Sequence, residues 1–177
     1  MKSRSLLSLA VASSLLAGCN SAEEPAPVDS PVAEPVPVLT STPTPTVAPD
    51  GSPLAPGSWN ISENGTGASA SFGPADGEAL LLVTCDAPSK TLVLSIANAT
   101  PGNQSFVVEA GGTAARLDMV ADGNAQAPRQ TAAIARDAPV FGGFVVPGGV
   151  IEVSQPGGST LRVPSAAGIR RVFEACQ

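Results

Sequence analysis

Apolar and polar residues alternate over short runs through most of the second half of the chain. Residues 68–72 alternate alanine, serine and phenylalanine. The run 79–85, "ALLLVTC", places Leu81, Val83 and Cys85 on one face at period two. A proline-containing turn, "DAPSK", follows it, and "TLVLSI" returns with Leu92, Leu94 and Ile96 on one face. That pairing predicts a β-hairpin. "NATPGN" breaks the pattern before a strand at 104–110, "QSFVVEA". Gly111-Gly112 then separates it from "TAARLDMV", which "ADGN" ends. "QTAAIAR" fits strand or helix, because alanine suits both periods. A second hairpin is expected from "VIEVSQ" and "STLRVP", split by Pro156-Gly157-Gly158. The period changes only at the end. Ile169, Val172, Phe173 and Cys176 fall at i, i+3, i+4 and i+7, one face of a helix, with Ser165 as its expected N-cap.

This patterning predicts a mainly β domain, an antiparallel sandwich or small barrel closed by a C-terminal helix. It would occupy 57–177, about the length of one modest core. All five phenylalanines and the single tryptophan, Trp59, fall inside it. The stretch 19–56 reads differently. It holds ten of the eighteen prolines, no aromatic residue, and charges that are all acidic. Such a segment buries too little apolar surface to offset its ordering entropy, so a disordered tether is expected.

The first eighteen residues have a third character. Lys2 and Arg4 precede an apolar run from Leu6 to Leu16. That is the layout of an export signal, too short for a membrane span of about 20 residues. The run closes on Leu16-Ala17-Gly18-Cys19. This tetrapeptide resembles the lipobox of bacterial lipoproteins. The resemblance implies cleavage before Cys19 and lipidation at Cys19, so that the membrane is held through the lipid anchor. Asn20 rather than Asp follows the cysteine, which by the same resemblance favours the outer membrane over the inner. The mature chain would keep seven basic against fifteen acidic side chains, near −8. Nucleic acid, which calls for basic patches, is not an expected partner.

Three cysteines in an exported chain leave one without an intramolecular partner. Cys85 ends a core-facing strand and Cys176 lies on the apolar helix face. A Cys85–Cys176 disulfide is therefore expected, with two buried free thiols as the rival arrangement.

The chain contains no histidine. This removes Ser-His-Asp and Cys-His catalysis. Lys90, the one lysine of the mature chain, falls in a turn, where solvent keeps its pKa too high for a base. Asp76 with Glu78, and Asp122 to Asn124, read as turns rather than as a carboxylate pair or a Ca²⁺ loop. No catalytic residue, metal or cofactor is expected. In "APVFGGFVVPGG", Phe141 and Phe144 flank two glycines. They are read either as a glycine-hinged loop that docks a partner or, more simply, as core rings.

The C-terminal forty residues resemble an uncharacterised group of small bacterial envelope proteins. In that group an Asp opens an apolar segment, a strand hairpin follows, and a Pro-preceded helix ends in Arg-Val-x-Glu-x-Cys. Here these are Asp137, residues 144–164, and Arg171 to Cys176, and "LLVTCD" at 81–86 matches the group's cysteine strand. The group's Trp and Glu early in the helix are replaced by Ala and Gly. The resemblance implies no activity. A looser analogy runs to small β-barrel envelope inhibitors of proteases or lysozyme. The expected role is thus a lipid-anchored, non-catalytic binding or inhibitor-like module for an envelope protein. A structural or assembly accessory of the outer membrane is the alternative.

Overall fold

The computed structural model describes residues 44–98 and 100–177. Cys19, the expected signal and the tether up to residue 43 lie outside the described residues. The rest forms one curled, half-barrel sheet of nine antiparallel strands. The strands are β1 Ser58–Asn64, β2 Gly67–Gly73, β3 Leu81–Asp86, β4 Thr91–Ala97, β5 Gln104–Ala110, β6 Thr113–Ala121, β7 Arg129–Ala133, β8 Val150–Ser154 and β9 Thr160–Pro164. Their spatial order is β1-β2-β3-β4-β7-β6-β5-β8-β9.

The period-two runs decide which face curls inward. Ala70 pairs with Val83, and Val83 with Leu94. On the same inner face lie Phe72, Leu81, Phe106, Val108, Ile151, Val153 and Val163, all buried. Burying each large side chain contributes roughly 1.5–3 kcal/mol. Both expected hairpins form, β3–β4 through Asp86↔Thr91 and β8–β9 through Ser154↔Thr160. The β5–β6 turn is the two glycines alone. Gly111 and Gly112 have φ of 59° and 77°, the left-handed values of a type I′ hairpin. Of the run 130–136, which suits helix or strand by sequence, residues up to Ala133 belong to strand β7.

One end of the half-barrel is closed by helical turns. Helix α1, Pro139–Gly142, runs into a 3₁₀ turn, Gly143–Val145. A second 3₁₀ turn, Ala167–Ile169, leads into α2, Arg170–Ala175. Ile169, Val172 and Cys176 are buried at the expected helical spacing. The disulfide Cys85–Cys176 joins α2 to the end of β3, with Cα atoms 5.7 Å apart. Gly143 presses on the β5–β6 turn. A Cβ there would sit 2.4 Å from the Ala110 carbonyl carbon and 2.5 Å from the Gly111 nitrogen, so only glycine fits.

The structure decides between the two readings of Phe141 and Phe144 in favour of core rings, corrects two further expectations and adds one strand. Phe141 and Phe144 do not form a docking loop. They are 2 % and 0 % exposed, and their rings meet edge to face at 5.2 Å. A sheet with so few aromatics uses both to plug its end. Ser165 does not cap the helix. Ala166 is the residue before the first helical turn, and the Ser165 hydroxyl instead donates to the Val146 carbonyl. The tether does not extend to Pro56. Residues 46–54 fold back through the bridge Val47↔Pro53, and Ala48 and Leu54 are buried. This strap donates from the Ala55 amide to the Arg162 carbonyl (2.8 Å), covering the edge of β9. Finally, β1 was not expected as a strand. Its two apolar side chains, Trp59 and Ile61, are only half-buried, so its alternation is weak. Trp59 Nε1 donates to the Pro164 carbonyl at 2.7 Å, tying β1 towards β9 across the open side of the sheet.

Candidate functional site

The end of the half-barrel opposite the helices is its mouth. Leu80, Ile96, Ala97, Phe106, Val153 and Leu161 line a cleft of about 210 Å³ there. These residues come from both wings of the sheet, so the cleft exists only because the sheet curls. Mouths of β-barrels are common binding sites, but drug-sized ligands occupy roughly 300–1,000 Å³. This cleft has room for a single large side chain of a partner.

Asn98, Ser159 and Thr160 also line it, and a group of side-chain amides is bonded together behind Asn98. Gln155 Nε2 donates to Gln104 Oε1 at 2.7 Å, and Gln104 Nε2 donates to the Pro101 carbonyl at 3.1 Å. Asn98 Nδ2 reaches Gln155 Oε1 at 3.5 Å. Gln130, wholly buried on β7, donates through Nε2 to the Thr100 and Gly102 carbonyls, each at 2.9 Å. Arg129 supports the same region, donating to the Ala79 carbonyl at 2.7 Å and the Ser95 carbonyl at 3.3 Å. Burial lowers its pKa, and the charges of Glu78 and Asp122 act in the opposite sense. These amides are bonded to one another and to backbone carbonyls, so they brace the 100–104 segment beside the mouth. Amides do not titrate, so these side chains transfer no protons.

A second cleft, about 360 Å³, lies on the outer face of β5, β8 and β9. Glu109 stands directly opposite Glu152, and Glu152 opposite Arg162. Like charges so placed repel, and Arg162 offsets them. Its Nη2 lies 2.9 Å from Asp50 Oδ2 and its Nε 3.1 Å from Glu152 Oε2. Asp50 belongs to the strap. Hydrogen bonds from Ser52, then from Arg162, hold its carboxyl well below the ordinary range. The hydrogen bond to Asp50 raises the Arg162 pKa in turn. Asp50, Arg162 and Glu152 form a clamp that fastens the strap, and both ends of it are occupied by one another.

The structure joins Cys85 to Cys176 and leaves Phe141 and Phe144 in the core. Asp122 is a turn residue, its Oδ1 accepting from the amides of Asn124 (3.0 Å) and Arg129 (3.3 Å). Asp76 lies in the 74–80 turn, closed by the Gly77 amide to the Pro74 carbonyl at 3.2 Å. Among the described residues, no three metal-ligating side chains gather. The amide group was missed from sequence. Asn98, Gln104, Gln130 and Gln155 are scattered over four segments, and no local pattern gathers them. No family model matches the chain, and comparison with curated proteins and with solved structures finds no match.

Proposed function

We propose that the chain is a lipid-anchored lipoprotein of the cell envelope whose β domain is a non-catalytic binding or inhibitor-like module for a periplasmic protein. The observation that carries the reading is the mouth cleft, lined by apolar side chains together with Asn98, Ser159 and Thr160 and sized for one anchoring side chain. Buried anchors of this kind dominate protein–protein affinity. The disulfide adds to it. It uses two of the three cysteines and leaves Cys19, at the lipobox-like Leu16-Ala17-Gly18, for the acyl chains. An anchor of two or three chains would hold an acidic protein that anionic lipid repels.

Crosslinking in cells tests the module. Ser159 is exposed and lines the cleft, so Ser159→Trp fills it without entering the core. A discrete crosslinked partner that disappears in S159W supports the reading. A partner retained at full yield in S159W refutes the cleft as the contact. Loss of membrane integrity on deletion, with no discrete partner, favours the assembly alternative. Fatty-acid labelling that persists in Cys19→Ala overturns the anchor.

A further inference from the structure

Strand β6 is longer than its pairing with β7. The register of β6 with β7 consists of Val120↔Thr131 and Ala121↔Gln130, while β5 covers β6 from Thr113 to Met119. The two wings of the sheet splay apart along the rest of β6. The Asp122 amide donates to the Arg129 carbonyl at 3.0 Å, which sets the alternation along the strand. In an antiparallel ladder, backbone groups point alternately to either side. Odd-numbered residues of β6 therefore turn to β5. Ala114, Arg116 and Asp118 turn their N–H and C=O groups to the side that is open among the described residues, and all three are exposed. An edge of this kind is a template for another strand.

The charges on that edge specify which strand. Arg116 and Asp118 sit two residues apart on the outer face, 70 % and 75 % exposed, with 3.2 Å between Nη2 and Oδ1. As an exposed pair inside one chain they contribute little to stability. Laid antiparallel against a second copy, only registers that pair even with even residues satisfy the ladder. Centring on Arg116 or on Asp118 sets like charges face to face. Centring on Leu117 sets Arg116 opposite Asp118 of the partner subunit, and Asp118 opposite the partner's Arg116. Leu117 then faces the partner's Leu117 on the inner side. A twofold axis closes this contact after two copies.

We propose that β6 is a self-association edge, pairing antiparallel with β6 of a second copy about Leu117. Hydrogen-bonded ladder pairs form at Arg116 and Asp118, and the sequence Arg-Leu-Asp selects the register. The pairing is short because β7 already occupies Val120 and Ala121, so the dimer is weak and reversible.

The full chain in detergent, carrying Cys19→Ala to remove a stray thiol, tests this by sedimentation equilibrium and by cysteine capture. Dimer is expected to accumulate below about 1 mM. Arg116→Asp, which sets carboxylates against carboxylates, is expected to weaken it about tenfold, and R116D/D118R is expected to restore it. Cα atoms of a facing, non-hydrogen-bonded pair lie about 4.5 Å apart, within disulfide reach. L117C is therefore expected to oxidise to a covalent dimer, while A115C, displaced along the strand from its own copy, is not. Near-ultraviolet dichroism confirms that each variant is folded. A chain that stays monomeric to about 1 mM overturns the proposal. So does a dimer indifferent to R116D, or one captured by A115C as readily as by L117C.

Discussion

Removing the disulfide is the perturbation whose size follows most directly from the fold. Cys85 and Cys176 are 91 residues apart in sequence, and the bond closes a loop over most of the domain. On chain-entropy grounds the bridge disfavours the unfolded state by roughly 4.5 kcal/mol. That is a large share of the 5–15 kcal/mol typical of a whole domain. For a folded unit of this length the same loss lowers Tm by roughly 15 °C. Cys85→Ala/Cys176→Ala is the cleanest form, since it leaves no lone thiol. Both cysteines are buried, so the small cavity left behind adds to the cost. Urea unfolding of the oxidised chain and the double variant measures it. The variant is expected to lose 3–5 kcal/mol. Its m-value is expected to rise, because the uncrosslinked unfolded chain exposes more surface. A loss under about 1 kcal/mol with unchanged m would refute the account, and would mean that α2 holds its place by packing alone.

Three further outcomes follow from named contacts. Gly143→Ala drives a methyl into the backbone of Ala110 and Gly111, and is expected to cost about 1–3 kcal/mol in a denaturation midpoint. Gln130→Leu removes the donors to the Thr100 and Gly102 carbonyls. It is expected to cost about 2 kcal/mol, with hydrogen exchange accelerating selectively around 100–104. Asp50 titrates lower in the folded chain than its ordinary 3.8, so its contribution is present above that pH and is lost as pH falls through the folded value. Proteolysis of the strap is therefore expected to quicken below about pH 4, and Asp50→Asn is expected to show that faster cleavage already at pH 7. A strap equally resistant in D50N would remove the clamp from the explanation.

Cleft and edge are independent. The mouth lies at the end carrying the 100–103 and 155–159 loops, and the free edge of β6 runs towards the helical end. A dimer formed through β6 leaves the mouth cleft of each copy open. S159W and R116D therefore report on separate surfaces, and the failure of one reading leaves the other standing.

Local pattern determined much of this molecule. Period-two runs placed β2, β3, β4, β5, β8 and β9 and named the inward residues, because a strand's two faces are decided by its own alternation. The change of period at Ile169 marked the helical end, and strand and helix face together brought Cys85 and Cys176 into register for a disulfide. What the alternation could not carry is whatever depends on residues distant in sequence. The strap at 46–54 has the composition of a tether and folds only because Arg162 and the edge of β9 receive it. Trp59 and Ile61 are half-buried, so β1 declares itself only once β2 is beside it. Phe141 and Phe144 read most simply as core rings, but only the sheet's open end shows what they fill. The mouth, the amides beside it and the free edge of β6 arise from how far the wings curl and splay, a property of strand order that no single strand encodes.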